Sequence, residues 1–349
     1  MAYVKKNKKN DPSYRKTRRS GSTIQPAITD LQFTIPAGGG SGTDSRSYID
    51  TMKELSKINR RLYEQGRMVA YQGLTFIWKT DQNAPDIDRL ELSVRTAGNT
   101  WVVQNAFVKG RALWHQMQDL VLEDNPSIKG KWHDFKTRLS ANQISSRVLE
   151  VTDGYDNVIV GGEWQVSKFV MPQHDVDPLT GLPLDADEKT TCLIGPSTGT
   201  IESLVKAYQD SRSTVQPVDP NVPAGMSTSF FNLLTDSGSQ EPELADVIED
   251  ENDQPPYSAD DYVGGDSNGT SPMTVGYAAI TAQEVDGRIG PFVAPCGLLE
   301  IEIKGYSVAL QSESNPTGEV STVNMPAVDI LLHVSPGMYK GVAAIPMGQ

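Results

Sequence analysis

Hydrophobic positions along this chain recur mostly at intervals of two, the spacing of strands with one buried face. Leu31, Phe33 and Ile35 alternate with Gln32 and Thr34, and Pro36 with the glycine run at 38–40 ends that strand. Residues 68–79 predict a strong strand carrying Val69, Tyr71, Phe76, Ile77 and Trp78. Over 89–95, Leu90, Leu92 and Val94 alternate with Glu91, Ser93 and Arg95, and Trp101, Val102 and Val103 predict a further short strand. Strand-like stretches resume at 145–151 and 157–171, and again at 274–283, 297–310 and 322–334, where Leu299, Ile301 and Ile303 alternate with charged neighbours.

Three stretches carry the helical period instead. Ile49, Met52, Leu55, Ile58 and Leu62 recur at three and four residues, predicting a helix capped by Asp44 or Ser45 and stopped by Gly66. Lys53, Lys57, Arg60, Arg61 and Arg67 line its other faces. Leu113, Trp114, Met117, Leu120 and Val121 predict a second helix over 110–123, with Trp114 a core residue. Ile201, Leu204, Val205 and Tyr208 predict a third, capped by Thr200 and ending near 211. The tail from 335 to 349, with Pro336, Gly337 and Pro346, predicts an irregular arm.

Composition sharpens this toward a mainly β fold. Thirty Gly and 22 Pro in 349 residues require many turns, and a 38% apolar content is enough for a core. The length fits one large β domain or two ordinary ones. Cys192 and Cys296 make no disulfide framework and read as buried thiols. No apolar run reaches the roughly 18 residues of a membrane span, and no apolar segment follows the charged N-terminal region as in a secretory signal. A soluble protein made in the cytosol is expected, with the nucleus as a further destination.

Charge changes the picture most. Residues 1–20 hold Lys5, Lys6, Lys8, Lys9, Arg15, Lys16, Arg18 and Arg19 against Asp11, a net of +7. Taking that from the chain's −13 leaves −20 for residues 21–349. The basic stretch has almost nothing to bury, so it should be disordered by itself and suited to polyanions, most often nucleic acid. Tyr3 and Tyr14 could stack on unpaired bases. A localisation signal or solvated tail is the plainer alternative; a Gly/Ser/Thr-rich tether after the arm favours packaging. Arg60, Arg61 and Arg67 are weaker candidates for the same ligand. Residues 125–142 set Lys129, Lys131, His133, Lys136 and Arg138 beside Trp132 and Phe135, a second basic and aromatic surface or simply a polar loop.

Residues 213–287 contain no Lys or Arg, and ten acids fall within 241–266. With Pro255, Pro256, Gly264 and Gly265, this is expected to be an extended surface insertion. The carboxylates Asp250, Asp253, Asp260, Asp261 and Asp266, or Asp175, Asp177, Asp185 and Asp187, could take Ca²⁺ at subunit contacts. Their spacing matches no EF-hand, so a solvated loop with no cofactor is the simpler expectation. No catalytic motif is present: there is no phosphate loop, no dinucleotide fingerprint and no nucleophile elbow. His115, His133, His174 and His333 share no ligand spacing, and His333 reads as a core side chain. An enzyme is not expected.

The opening MAYVKKNKKNDPSYRKTRR resembles the openings of capsid proteins from circular Rep-encoding single-stranded DNA viruses. The stretches RLYEQGRMVAYQGLTFIW and TWVVQNAFVKGRALW are similar to the same group, nearest to the bacilladnaviruses. The resemblance implies a single jelly roll, an eight-stranded antiparallel β-sandwich with inserted short helices and long loops. It divides the chain into a basic arm at 1–21, a shell domain at 22–334 with an acidic insertion at about 213–272, and a C-terminal arm at 335–349. It implies self-assembly into an icosahedral shell, with the arm inside on a single-stranded genome, most simply DNA. The protein would then reside in the virion, and during assembly in the host cytoplasm or nucleus. The rival expectation is a nucleic-acid-binding regulator with a basic localisation tail.

Overall fold

The computed structural model describes residues 26–39, 45–79, 87–155, 157–171, 179, 187–197, 199–211, 272–281, 283–312, 314–321 and 325–348. The fold is mainly β. Strand β1 (Asp30–Ile35) turns Leu31, Phe33 and Ile35 inward, as its alternation predicts. It pairs antiparallel with β13 (Val328–Val334), and β13 pairs with β3 (Arg67–Trp78). On its other side β3 meets β10 (Asp286–Ile289) and then β11 (Phe292–Pro295).

β3 keeps both halves on the core by means of a bulge. Val69 and Tyr71 face inward, and after a three-residue step so do Leu74, Phe76 and Trp78. The register to β13 slips there, with His333 opposite Gly73 and Val334 opposite Tyr71, so Gln72 is the extra residue. Gly73 sits at φ 142°, and a Cβ on it would lie 2.3 Å from the Ile289 carbonyl oxygen. Only glycine fits both demands.

The second sheet runs β2 (Arg46–Asp50), β12 (Leu298–Tyr306), β4 (Arg89–Thr96) and β9 (Met273–Thr281), all antiparallel, with the short β5 (Arg147–Val148) parallel along the edge of β2. Side chains of both sheets meet in one core, with Phe33, Phe76, Ile330 and Leu332 from the first and Leu92, Val94, Leu299 and Ile301 from the second.

The 97–272 excursion between β4 and β9 builds a second core. Besides two short 3-10 turns, its described elements are α2 (Trp101–Asp124), β5, β6 (Lys168–Met171), β7 (Asp187–Cys192), β8 (Ile201–Ser203) and α3 (Leu204–Asp210). β6, β7 and β8 form a small third sheet. Phe107, Leu113, Trp114, Phe135, Phe169, Leu193 and Leu204 pack together there against Tyr48, Met68 and Leu298 at the end of the sandwich. Trp114 is buried as expected, and both cysteines are buried and free.

Several expectations are corrected. The first helix, α1 (Thr51–Asn59), begins later than Asp44 or Ser45, because residues 46–50 pair with β12 and Asp50 makes the cap, accepting from the Lys53 amide at 3.1 Å. It ends at Arg60 in the left-handed region, before Gly66, and Leu62 is half exposed. Trp101, Val102 and Val103 are the first turn of α2, capped by Thr100, and Leu120 and Val121 project outward. Only short parts of 145–151 and 157–171 are strand. The cap of α3 is Ser203 instead of Thr200. The C-terminal residues form β14 (Pro336–Tyr339) and β15 (Ala344–Pro346), and β15 pairs with β3 through Val69, Met68 and Arg67. That segment is thus part of the first sheet and is regular where an irregular arm was expected. His333 lies on the outward face of β13, where its Nδ1 meets Asp30 at 2.8 Å and its Nε2 meets Thr75 at 3.3 Å, so it ties three strands together and is no core side chain.

Candidate nucleic-acid interface

Lys5, Lys6, Lys8, Lys9, Arg15, Lys16, Arg18 and Arg19 lie outside the described residues, as do Asp175, Asp177, Asp185 and the acidic stretch 241–266. The first described residues are tied to the end of α1. Ile28 is clamped to Asn59 by two hydrogen bonds: its amide donates to Oδ1 at 2.7 Å, and its carbonyl accepts from Nδ2 at 3.0 Å. Asn59 is the last residue of α1, so Ile28 is held one residue from Arg60.

Arg60 is exposed at the left-handed cap of α1, with no ion-pair partner among the described residues. Arg61 is already engaged: its Nη1 donates to the Lys340 carbonyl at 3.0 Å, which also accepts from the Tyr63 hydroxyl at 2.8 Å. Arg67 stacks its guanidinium 3.5 Å above the Tyr339 ring and approaches Glu64 at 3.6 Å. The Lys340 ammonium donates to the Leu62 carbonyl and stands 5.1 Å from the Tyr339 ring. Tyr63 and Tyr339 meet edge to face at 6.0 Å. The result is a corner of three cations, Arg61, Arg67 and Lys340, around two tyrosines, with Glu64 as an acid among them and Arg60 next in the chain.

Sequence reasoning named Arg60, Arg61 and Arg67 but missed Lys340 and Tyr339. They come from the end of β14 and the turn after it, about 280 residues away along the chain, and only the pairing of β15 with β3 delivers them. Their one local signal is the Lys340–Gly341 pair, both at positive φ, which marks a tight turn.

Behind the corner, Gln65 splices α1 to the excursion. Its amide donates to Asp134 Oδ2 at 2.9 Å. Its side chain donates to the Thr137 carbonyl at 2.9 Å and accepts from the Thr137 amide at 2.6 Å. Gln65 also donates to Asp50, which accepts from the Trp164 indole at 2.8 Å. Burial pushes the Asp50 carboxyl up to about 6, against the pull of its N–H donors, and burial raises Asp134 as well. Arg111 reaches toward Asp134 at 3.9 Å.

The basic and aromatic stretch 125–142 is split by the fold. Phe135 and Lys136 are buried, whereas Lys129, Lys131, Trp132 and His133 are exposed. The Lys136 ammonium lies 4.4 Å from the Trp132 ring and 4.9 Å from Trp164, and burial lowers its affinity for a proton. Among the described residues no group of three or more His, Cys, Asp or Glu is placed to hold a metal ion, and no helix is long and apolar enough to cross a membrane. In comparisons with known protein families, with curated proteins and with solved structures, nothing matches this chain.

Proposed function

We propose that this chain is a capsid protein: a jelly-roll subunit that assembles with copies of itself and packages single-stranded nucleic acid, most simply DNA, on its basic arm. The observation that carries the reading is the nesting of strand partners. Counting β10 and β11 as one interrupted strand, the first of eight sandwich strands pairs with the last (β1 with β13), the second with the seventh (β2 with β12), the third with the sixth (β3 with β10 and β11) and the fourth with the fifth (β4 with β9). One long double-stranded ribbon rolled on itself has this order, and it is the strand order of viral jelly rolls, a fold that lectins and cupins also use. What separates a capsid from those is the charge: an arm of net +7 on a body of net −20. Cations on one side neutralise packaged phosphate, and anions elsewhere keep assembled particles apart.

The corner of Arg61, Arg67 and Lys340 supports the same reading, since it adds cations to the folded body a few residues along the chain from Asn59, which holds Ile28. The test is electron microscopy of purified protein with and without residues 2–20. The full chain is expected to give closed particles containing nucleic acid, and the truncated chain empty shells or capsomers. A full-length protein that stays monomeric while binding nucleic acid overturns the capsid reading in favour of a regulator.

A further inference from the structure

We propose that Trp132 is a stacking platform for an unpaired base of the packaged strand, a role that rests on the nucleic-acid reading above. A tryptophan on an exposed loop tip is unusual, because its indole gains more from burial than most side chains. Trp132 retains 38% exposure and nonetheless has two close neighbours. Trp164 lies 6.0 Å away at an interplanar angle of 32°, and the buried Lys136 ammonium sits 4.4 Å from the Trp132 ring. Trp164 is held in turn by the Asp50 carboxylate, and Lys136 by the Asp134 carbonyl at 3.3 Å. The ring is therefore pre-positioned, and a base that stacks on its exposed part has little ordering to offset.

The flanking residues fit a nucleotide strand. Lys129, Lys131 and His133 are exposed and lie within three residues of Trp132 along the chain, so they are the groups to meet phosphates that flank a stacked base. Gln65 and Asp134 link this loop directly to the segment that carries Arg61 and Arg67. Glu123 and Asp124 close α2 just before the loop, so net charge there is small and stacking must supply most of the contact. This predicts a division of labour: the arm and corner carry the salt-dependent part of binding, and Trp132 carries a part that salt leaves alone.

The experiment measures binding of oligo(dT) and of inorganic polyphosphate, which has charge but no bases, to the full chain across a salt series. Trp132→Ala is expected to weaken oligo(dT) binding at least about five-fold, the low end for one stacked base, with the salt slope and polyphosphate binding unchanged. Trp132→Phe should restore most of the loss, which a merely structural defect at the loop would not allow. If Trp132→Ala leaves oligo(dT) binding intact, or weakens both ligands equally, the platform is overturned while the packaging reading stands. If neither ligand binds the wild-type protein at low salt, the nucleic-acid reading itself fails.

Discussion

Asp50 ends a strand, caps a helix and accepts hydrogen bonds from Gln65 and Trp164, all with one buried carboxyl. Burial holds that group up to about 6, so the folded protein binds its proton more tightly than the unfolded chain does. The stabilisation is complete below about pH 4 and is lost as pH rises through 6, by up to about 3 kcal/mol. Asp134 is raised by the same cause and acts in the same direction. Denaturation midpoints should therefore be higher at pH 4.5 than at pH 7.5, and Asp50→Asn should flatten that difference while lowering stability at both. An Asn variant with the wild-type pH profile would remove Asp50 as the source. Gly73 offers a second measurement at this scale. A methyl there meets the Ile289 carbonyl at 2.3 Å in a backbone conformation that suits glycine, so Gly73→Ala should cost more than about 3 kcal/mol in chemical denaturation. The alternation of the sequence named the inward residues of β1, β4 and β12 correctly, because apolar and polar positions alternate strictly in all three. It placed His333 in the core because its neighbours are apolar, whereas the period of two turns it outward.

Elements whose hydrophobic period is unambiguous were legible, and those whose residues fit two periods were not. Ile49 belongs equally to a helical stripe and to an alternating strand, and pairing with β12 decided for strand. Trp101–Val103 is too short an apolar run to choose between states. Val102, Val103, Ala106, Phe107, Gly110, Leu113 and Trp114 together form one buried helical face, and the Thr100 hydroxyl caps it. Thr100→Ala should cost about 1 kcal/mol, read as a shift in the unfolding midpoint with unchanged cooperativity. The C-terminal segment gives the sharper test. β15 covers the β3 backbone at Arg67–Val69, and Val342 and Met347 are buried, so removing residues 336–349 should yield insoluble or molten protein. A truncated chain that unfolds as cooperatively as the full one would show that the segment is a dispensable arm after all.

Across the whole molecule, the separation of charge makes a quantitative prediction about salt. Eight arm cations facing single-stranded phosphate give a slope of log K against log salt of roughly −0.7 each. Deleting residues 2–20 should make the slope shallower by about 5, and a deletion that leaves it unchanged would show that the arm does not touch phosphate. The sequence alone determined the strand faces, the cationic arm and the anionic body, because alternation and formal charge are local properties that survive any arrangement of the elements. It could not determine which strands are neighbours, since pairing is a long-range choice among many edges of similar composition. Tertiary structure decided that choice. With it came the delivery of Lys340 and Tyr339 to Arg61 and Arg67, the bracing of Trp132 by Trp164, and the burial that raises the affinity of Asp50 for a proton.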